Sequence, residues 1–139
     1  MYSCLVERYD NINFTPAAPL LFRAQHELME AGFMRPCIMV FWDDNALVAF
    51  NIDKLPIGVI SFVHEKWLRQ ISIRLGYVLP EWRRQGVYRT LWNSLVDVAK
   101  SLDVKEIQGN THVDNTPMNE TMKALGRTEL GKYYVFKVS

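Results

Sequence analysis

The chain is short of several things, and each shortage removes a class of protein. Only two cysteines, Cys4 and Cys37, occur in 139 residues, too few for a disulfide scaffold and without the C-x-x-C spacing of a zinc site. Two buried reduced thiols are the expectation. Neither sign of charge dominates: sixteen Lys and Arg against fifteen Asp and Glu leave a formal charge of +1. No global field therefore draws nucleic acid, and none is expected as a partner. No apolar run approaches the ~20 residues of a membrane span. The opening, Met1-Tyr2-Ser3-Cys4-Leu5-Val6-Glu7-Arg8, has no basic start followed by a long apolar stretch. A cytoplasmic protein with no membrane partner is the expectation. The three histidines are also poorly placed for a metal, because neither His26-Glu27 nor His64-Glu65 has a second histidine at the spacing a zinc peptidase needs. Repeats, linkers and low-complexity segments are missing. With 49% hydrophobic and 22% charged residues, what remains is globular composition at a length suited to one domain, 1–139.

The hydrophobic pattern is strong where it changes period. Ile71, Ile73, Leu75, Tyr77 and Leu79 alternate with Ser72, Arg74 and Gly76, which predicts a strand that Pro80 ends by removing a ladder donor. Val87, Leu91, Leu95, Val98 and Leu102 then recur at spacings of three and four, the stripe of an amphipathic helix over 87–102. Arg83, Arg84, Gln85 and Gly86 thus occupy a strand-to-helix junction. The first turn of a helix has unpaired N–H groups and the positive end of the macrodipole, so this junction is built for an anion. Gly86 lets the backbone approach it.

The remaining elements follow in order. A short strand within residues 3–9, around Cys4-Leu5-Val6-Glu7, leads to Thr15-Pro16, an N-cap and first-turn proline for a helix to about Gly32. Residues 33–45 are ambiguous, with Ile38–Trp42 readable as a strand or a short buried helix. Ala46–Ile52, Ile57–His64 and Gln70–Leu79 form an antiparallel meander. After the 87–102 helix come a strand near Lys105–Thr111, a helix from about Thr116 to Leu125 with Gly126 as its C′ residue, and a last strand over Lys132–Val138.

Arg83-Arg84-Gln85-Gly86-Val87-Tyr88 resembles the Q/R-x-x-G-x-G/A signature of the GNAT superfamily of N-acetyltransferases, and Val78-Leu79-Pro80-Glu81 resembles the approach to it. Asn115–Arg127 is similar to the family's later segment N-x-x-A-x-x-L-Y-x-x-x-G-F, with Asn115, Met118 and Gly126 at the expected offsets. The resemblance implies an α/β fold of the acyl-CoA N-acyltransferase kind. Its sheet would be mostly antiparallel, with six to seven strands, flanking helices, and parallel fourth and fifth strands that splay. It also implies acetyl-CoA as cosubstrate and a primary amine of a small molecule or protein as acceptor. Val78 would supply a backbone N–H to the thioester oxygen. Arg83, Arg84, Gln85, Gly86, Val87, Tyr88 and Arg89 would surround the pyrophosphate, and Asn115 and Met118 the pantetheine arm. Asn115 is also placed to cap a helix. A homodimer is compatible with the family's last strand.

The chain departs from the pattern at four places. Tyr88 replaces the last small residue of the signature, Arg127 the aromatic of G-F, Met122 the usual acid tyrosine, and Ser72 the usual fourth-strand glutamate. The ordinary acid–base pair therefore does not carry over. His112, after the fifth strand, and Tyr133, or Tyr134, on the last strand are the candidate substitutes, with Glu65 a further base or acceptor-site anion. Glu27, Glu30, Trp42, Asp43 and Asp44 are candidates for holding a cationic amine. The competing function is a coenzyme-A-binding or protein-interaction module with reduced catalysis.

Overall fold

A computed structural model of the chain describes residues 4–34, 39–132 and 134–138. Four strands, β1 (Leu5–Tyr9), β2 (Asn45–Phe50), β3 (Pro56–Glu65) and β4 (Gln70–Val78), run antiparallel to their neighbours, and β5 (Glu106–Gln108) lies parallel to β4. The sheet order is β1-β2-β3-β4-β5. Helices α1 (Ala17–Glu30) and α2 (Val87–Ser101) lie on opposite faces, and α3 (Thr116–Ala124) follows β5.

The two-sided core explains the unbroken apolar run in β2. Ala46 and Val48 join Leu20, Leu21 and Ala24 of α1 in one cluster, while Leu47 and Ala49 join Val87, Leu91 and Leu95 of α2 in the other. Leu91 and Leu95 are fully buried, each contributing about 1.5–3 kcal/mol. Gly58 is needed under α2, since a Cβ there would lie 3.0 Å from Val87 Cγ1 and 3.1 Å from Leu91 Cδ1.

The alternation in β4 reads as one straight strand, and the structure breaks it. Ser61 pairs with Leu75 and Phe62 with Ile73, so Arg74 is an extra residue on β4, a β-bulge. A bulge exchanges faces. Ile71 and Ile73 pack on the α2 side, whereas Leu75 and Tyr77 pack on the α1 side. Leu75 N–H is taken up by the buried Ser61 Oγ at 3.2 Å. Bulges bend the strand that carries them, and β5 follows β4 only across Gln70–Ser72, paired with Glu106–Gln108. Beyond that point the ladder between the two parallel strands ends, leaving a fork in the pairing.

Helix boundaries agree closely with their sequence signals. Pro16, expected inside the first turn, instead stands at the N-cap of α1 with no side-chain cap bond, and Thr15 Oγ1 just before it accepts from Ala17 N–H at 3.2 Å; Gly126 closes α3 with φ +80°. Differences lie at the edges. β5 has three residues instead of the span 105–111, and Met39–Trp42 form neither strand nor helix. Residues 134–138 form no strand and are exposed, so the described residues hold five strands where six to seven were expected. A three-residue edge strand gives a further strand few ladder partners. Cys37 and Tyr133 lie outside the described residues, and Cys4 is a half-buried free thiol. Among the described residues no helix is long and apolar enough to cross a membrane.

Candidate functional site

The junction between β4 and α2 is a turn with two left-handed residues. After Val78 a single 3-10 turn, Pro80–Trp82, leads to Arg83, and Arg84 (φ +62°) and Gly86 (φ +84°) then bring the chain into α2. Gly86 occupies the N-cap position and has no side chain to cap with, so the first N–H groups of α2 receive no side-chain cap. The junction is braced from behind: Thr90 N–H and Thr90 Oγ1 both donate to Gly86 O at 3.0 Å, and Gln85 Nε2 donates to Glu81 O at 3.1 Å. Arg84 and Arg89 are exposed. Val87 anchors the start of the helix in the core.

Arg83 is occupied elsewhere. Its Nε donates to Val78 O at 2.8 Å, its Nη2 donates to Glu27 Oε1 of α1 at 2.8 Å, and its guanidinium lies 5.3 Å from the Tyr77 ring centroid. Tyr77 Oη donates to the other Glu27 oxygen at 2.5 Å. Burial pulls the Glu27 carboxyl upward, but the Tyr77 hydroxyl and Arg83 guanidinium outweigh it and hold the group below its usual range. Burial, reinforced by donation to Glu27, raises the Tyr77 hydroxyl. Arg83 therefore ties the turn to α1, a role its neighbours in sequence do not signal because the partner is 56 positions away.

Tyr88 turns back from the first turn of α2 onto the sheet. Its Cε2 lies 2.9 Å from where a Cβ on Gly76 would stand, and burial raises its hydroxyl against the opposing pull of the Arg127 guanidinium. Asn115 acts as the cap of α3, Oδ1 accepting from Met118 N–H at 3.4 Å. Met122 Sδ accepts from Thr111 Oγ1 at 3.2 Å.

Around Ser72 the structure supplies a carboxylate that the residue itself lacks. Ser72 Oγ donates to Glu65 Oε1 of β3, Gln70 Nε2 donates to the same oxygen at 3.1 Å, and Gln108 Nε2 of β5 reaches Ser72 Oγ at 3.3 Å. The Ser72 hydroxyl, then Gln70, hold the Glu65 carboxyl below its usual range. An open groove of about 410 Å³ beside it is lined by His64, Glu65, Lys66, Trp67 and Leu68. His112 lies apart from this group, its ring 5.7 Å from Phe33 and its Nδ1 accepting from Asp114 N–H at 3.1 Å. The neutral ring then carries its proton on Nε2 and offers a donor there. Of the expected amine-holding carboxylates, Glu27 is engaged by Arg83, and Asp44 is buried and ion-paired with Arg74 at 3.1 Å. Burial pushes the Asp44 carboxyl up against the opposing pull of Arg74. Asp43 and Trp42 are exposed, and Glu30 faces His26 at 3.6 Å.

The family model described as "Acetyltransferase (GNAT) family" matches residues 9–126. The chain belongs to this family. GNAT acetyltransferases use acetyl-CoA as cosubstrate, and the β4–β5 fork followed by the turn and α2 are the elements that the resemblance of the two motifs requires. Solved structures share the fold over nearly the whole chain. AAC(6')-Iy, in complex with the bisubstrate analogue CoA-S-monomethyl-acetylneamine, is 14% identical, with 99% of each chain covered and a TM-score of 0.73. The aminoglycoside 6'-N-acetyltransferase AAC(6')-Ih from Acinetobacter baumannii is 18% identical, with 99% of each covered and a TM-score of 0.67. Ribosomal-protein-alanine N-acetyltransferase from Brucella melitensis biovar Abortus is 16% identical, covers 97% of this chain and 99% of its own, and has a TM-score of 0.68. No curated protein matches the chain.

Proposed function

We propose that this GNAT domain transfers an acetyl group from acetyl-CoA to a primary amine of a small molecule or protein by direct attack of the amine on the thioester. The observation that carries the reading is the turn beside the fork: two left-handed residues, a helix start without a side-chain cap, and the exposed Arg84 and Arg89 beside the ion-paired Arg83. Those groups suit a pyrophosphate. Backbone N–H groups from Gln85 to Tyr88 are the proposed donors, with Arg84 and Arg89 supplying charge, while Gly86 keeps the approach clear and Val87 anchors the helix. Arg83 contributes by holding the turn against Glu27 and Val78 O. Val78 N–H is the proposed donor to the thioester oxygen. It is supported by alternation along the strand, because Leu79 N–H bonds Ile57 O of β3 and the preceding N–H points the opposite way, toward the fork. Asn115 and Met118 flank the pantetheine arm.

Catalysis in this reading rests on holding the reactants, worth effective molarities of ~10⁵–10⁸ M, more than on a dedicated acid and base, worth ~10²–10⁴. Glu65, ionised at neutral pH, attracts a cationic amine to its edge of the sheet; Ser72, which holds it, stands six residues before Val78 on β4, about 20 Å away, so the attacking amine's proton leaves through water. His112 contributes through its Nε2–H, and Tyr133 is the proposed acid on its sequence position alone. The similarity to an aminoglycoside acetyltransferase and to a ribosomal-protein-alanine N-acetyltransferase makes amino sugars and the alanine amine of a protein the first acceptors to try.

Thermal-shift titration tests the reading. Acetyl-CoA at a hundred times its Kd adds about 2.7 kcal/mol of stability, and Gly86→Glu removes that gain by placing a carboxylate at the turn. No stabilisation of the wild type refutes coenzyme binding, and an unchanged shift in Gly86→Glu refutes the assignment of the turn. Thiol release across an amine panel then distinguishes an enzyme from a module that only binds.

A further inference from the structure

Two opposite charges on β3 and β4 are left over by the coenzyme turn. Arg74 is the extra residue of the β4 bulge, and its Nε donates to both oxygens of the buried Asp44, at 3.1 and 3.3 Å. Its Cζ lies 4.4 Å from the Phe41 ring centroid. Phe41 and Asp44 belong to the segment leading into β2, where Val40 packs in the α1 cluster and the Trp42 ring lies 5.8 Å from Phe22 of α1. Arg74 is therefore held on the α1 side of the sheet.

The way it is held leaves the guanidinium half used. An arginine that serves only as the counter-ion of a carboxylate presents two nitrogens to two oxygens. Here one nitrogen takes both oxygens, and among the described residues neither Nη group has an acceptor. The Arg74 side chain is 37% exposed, whereas Asp44 is 2% exposed. The guanidinium is thus fixed from within and open to solvent.

Glu65 supplies the opposite charge. Its Oε1 takes the Ser72 hydroxyl and Gln70 Nε2, and its Oε2 has no partner among the described residues. The same side chain lines the open groove of about 410 Å³. Ile71 and Ile73 pack on the α2 side, so Ser72 and Arg74 both face the α1 side, about 7 Å apart along the strand. A carboxylate and a guanidinium, each with bonding capacity to spare, stand side by side there. That is the complement of a zwitterion.

We propose that Glu65 and Arg74 hold the ammonium and the carboxylate of a free α-amino acid whose side-chain amine is the acetyl acceptor, a diamino acid of about the length of lysine. The inference rests on the acetyltransferase reading above. Arg74 stands four residues before Val78, about 13 Å along β4. The thioester at Val78 and an amine ~3 Å from its carbon occupy part of that interval, and an extended lysine-length side chain covers the rest. A lysine within a protein offers the pair nothing to hold, because its α-nitrogen and carboxyl are spent in peptide bonds.

Thiol release at saturating acetyl-CoA, with free lysine, cadaverine and ε-aminocaproate as acceptors, tests this. Cadaverine lacks only the carboxylate of lysine, and ε-aminocaproate lacks only the α-ammonium. The wild type is expected to use lysine with a kcat/KM at least tenfold above either. Arg74→Met is expected to lower the lysine value about tenfold to a hundredfold, the range of one charged hydrogen bond, and to leave cadaverine unchanged. If the unpaired Asp44 prevents that variant from folding, Arg74→Lys decides, since its single ammonium is consumed by Asp44 and the same selective loss is expected. Glu65→Gln, whose amide oxygen can still accept from Ser72, is expected to lower lysine and spare ε-aminocaproate. A wild type that uses the three acceptors equally, or none of them, overturns the inference, as do variants that lose all three in parallel. Stabilisation of that protein by acetyl-CoA leaves the acetyltransferase reading standing, and its absence overturns both.

Discussion

Ser61→Ala is a small change with a large expected effect, because one buried hydroxyl satisfies the bulge in β4. Ser61 is 1% exposed, and its Oγ is the acceptor for Leu75 N–H at 3.2 Å. Alanine leaves that N–H buried without a partner, which costs about 1–3 kcal/mol. The strand cannot escape by dropping the bulge. A one-residue slip would exchange the faces of Leu75 and Tyr77 with those of Gly76 and Val78 and empty the core under α1. With an unfolding entropy of about 2.1 cal/mol/K per residue, a chain of this length loses roughly 3–4 °C of Tm per kcal/mol. The expected fall is therefore about 3–10 °C, measured by thermal denaturation followed by circular dichroism. Hydrogen exchange at the Leu75 amide supplies the local readout and should accelerate more than exchange in β2. A Tm within about 1 °C of the wild type, with Leu75 protection intact, refutes the account of the bulge.

Two further substitutions probe other contacts. Gly76→Ala places a Cβ 2.9 Å from Tyr88 Cε2 and should cost about 1–3 kcal/mol by overpacking, while Tyr88→Ala in the same chain should recover most of it. Additive losses in that double-mutant cycle would show that the two residues are not in contact. Glu27→Gln alters the acid limb of stability. The folded state holds the Glu27 carboxyl below its ordinary 4.5, so its contribution is present above the unfolded value and is lost as pH falls through the folded one. The variant should be less stable than the wild type at pH 7, and the gap should close on acidification. A gap that persists at pH 2 contradicts the proposed linkage.

Much of the scaffold was legible because its periods are local. The α2 stripe, the meander and the Gly126 stop each declare themselves within a dozen residues. The bulge was hidden for the opposite reason: Ile71, Ile73, Leu75 and Tyr77 alternate with Ser72, Arg74 and Gly76 without interruption, so the exchange of faces at Arg74 leaves no break in the period. Arg83 and Arg84 look alike in sequence, yet only Arg83 has Glu27 within reach, and that partner lies on another element. The carboxylate missing at Ser72 came from Glu65, across the β3–β4 ladder. Tyr88 and Arg127 each stood out as a departure from the family motifs, but only the fold brings the guanidinium near enough to act on the tyrosine hydroxyl.

The narrow seam between β4 and β5 also has a consequence for how the chain folds. The meander closes through short turns, whereas the three residue pairs of the parallel seam join segments about 36 positions apart and can form only after α2 is in place. Loop closure of that length comes before any reward from the contacts it makes. The seam is thus expected to zip last and to open first, as a cooperative unit with α3. A cosubstrate lodged in the fork would bridge the early-folding meander to the late-folding segment, so the coenzyme would act as a staple for the part of the chain least able to hold itself.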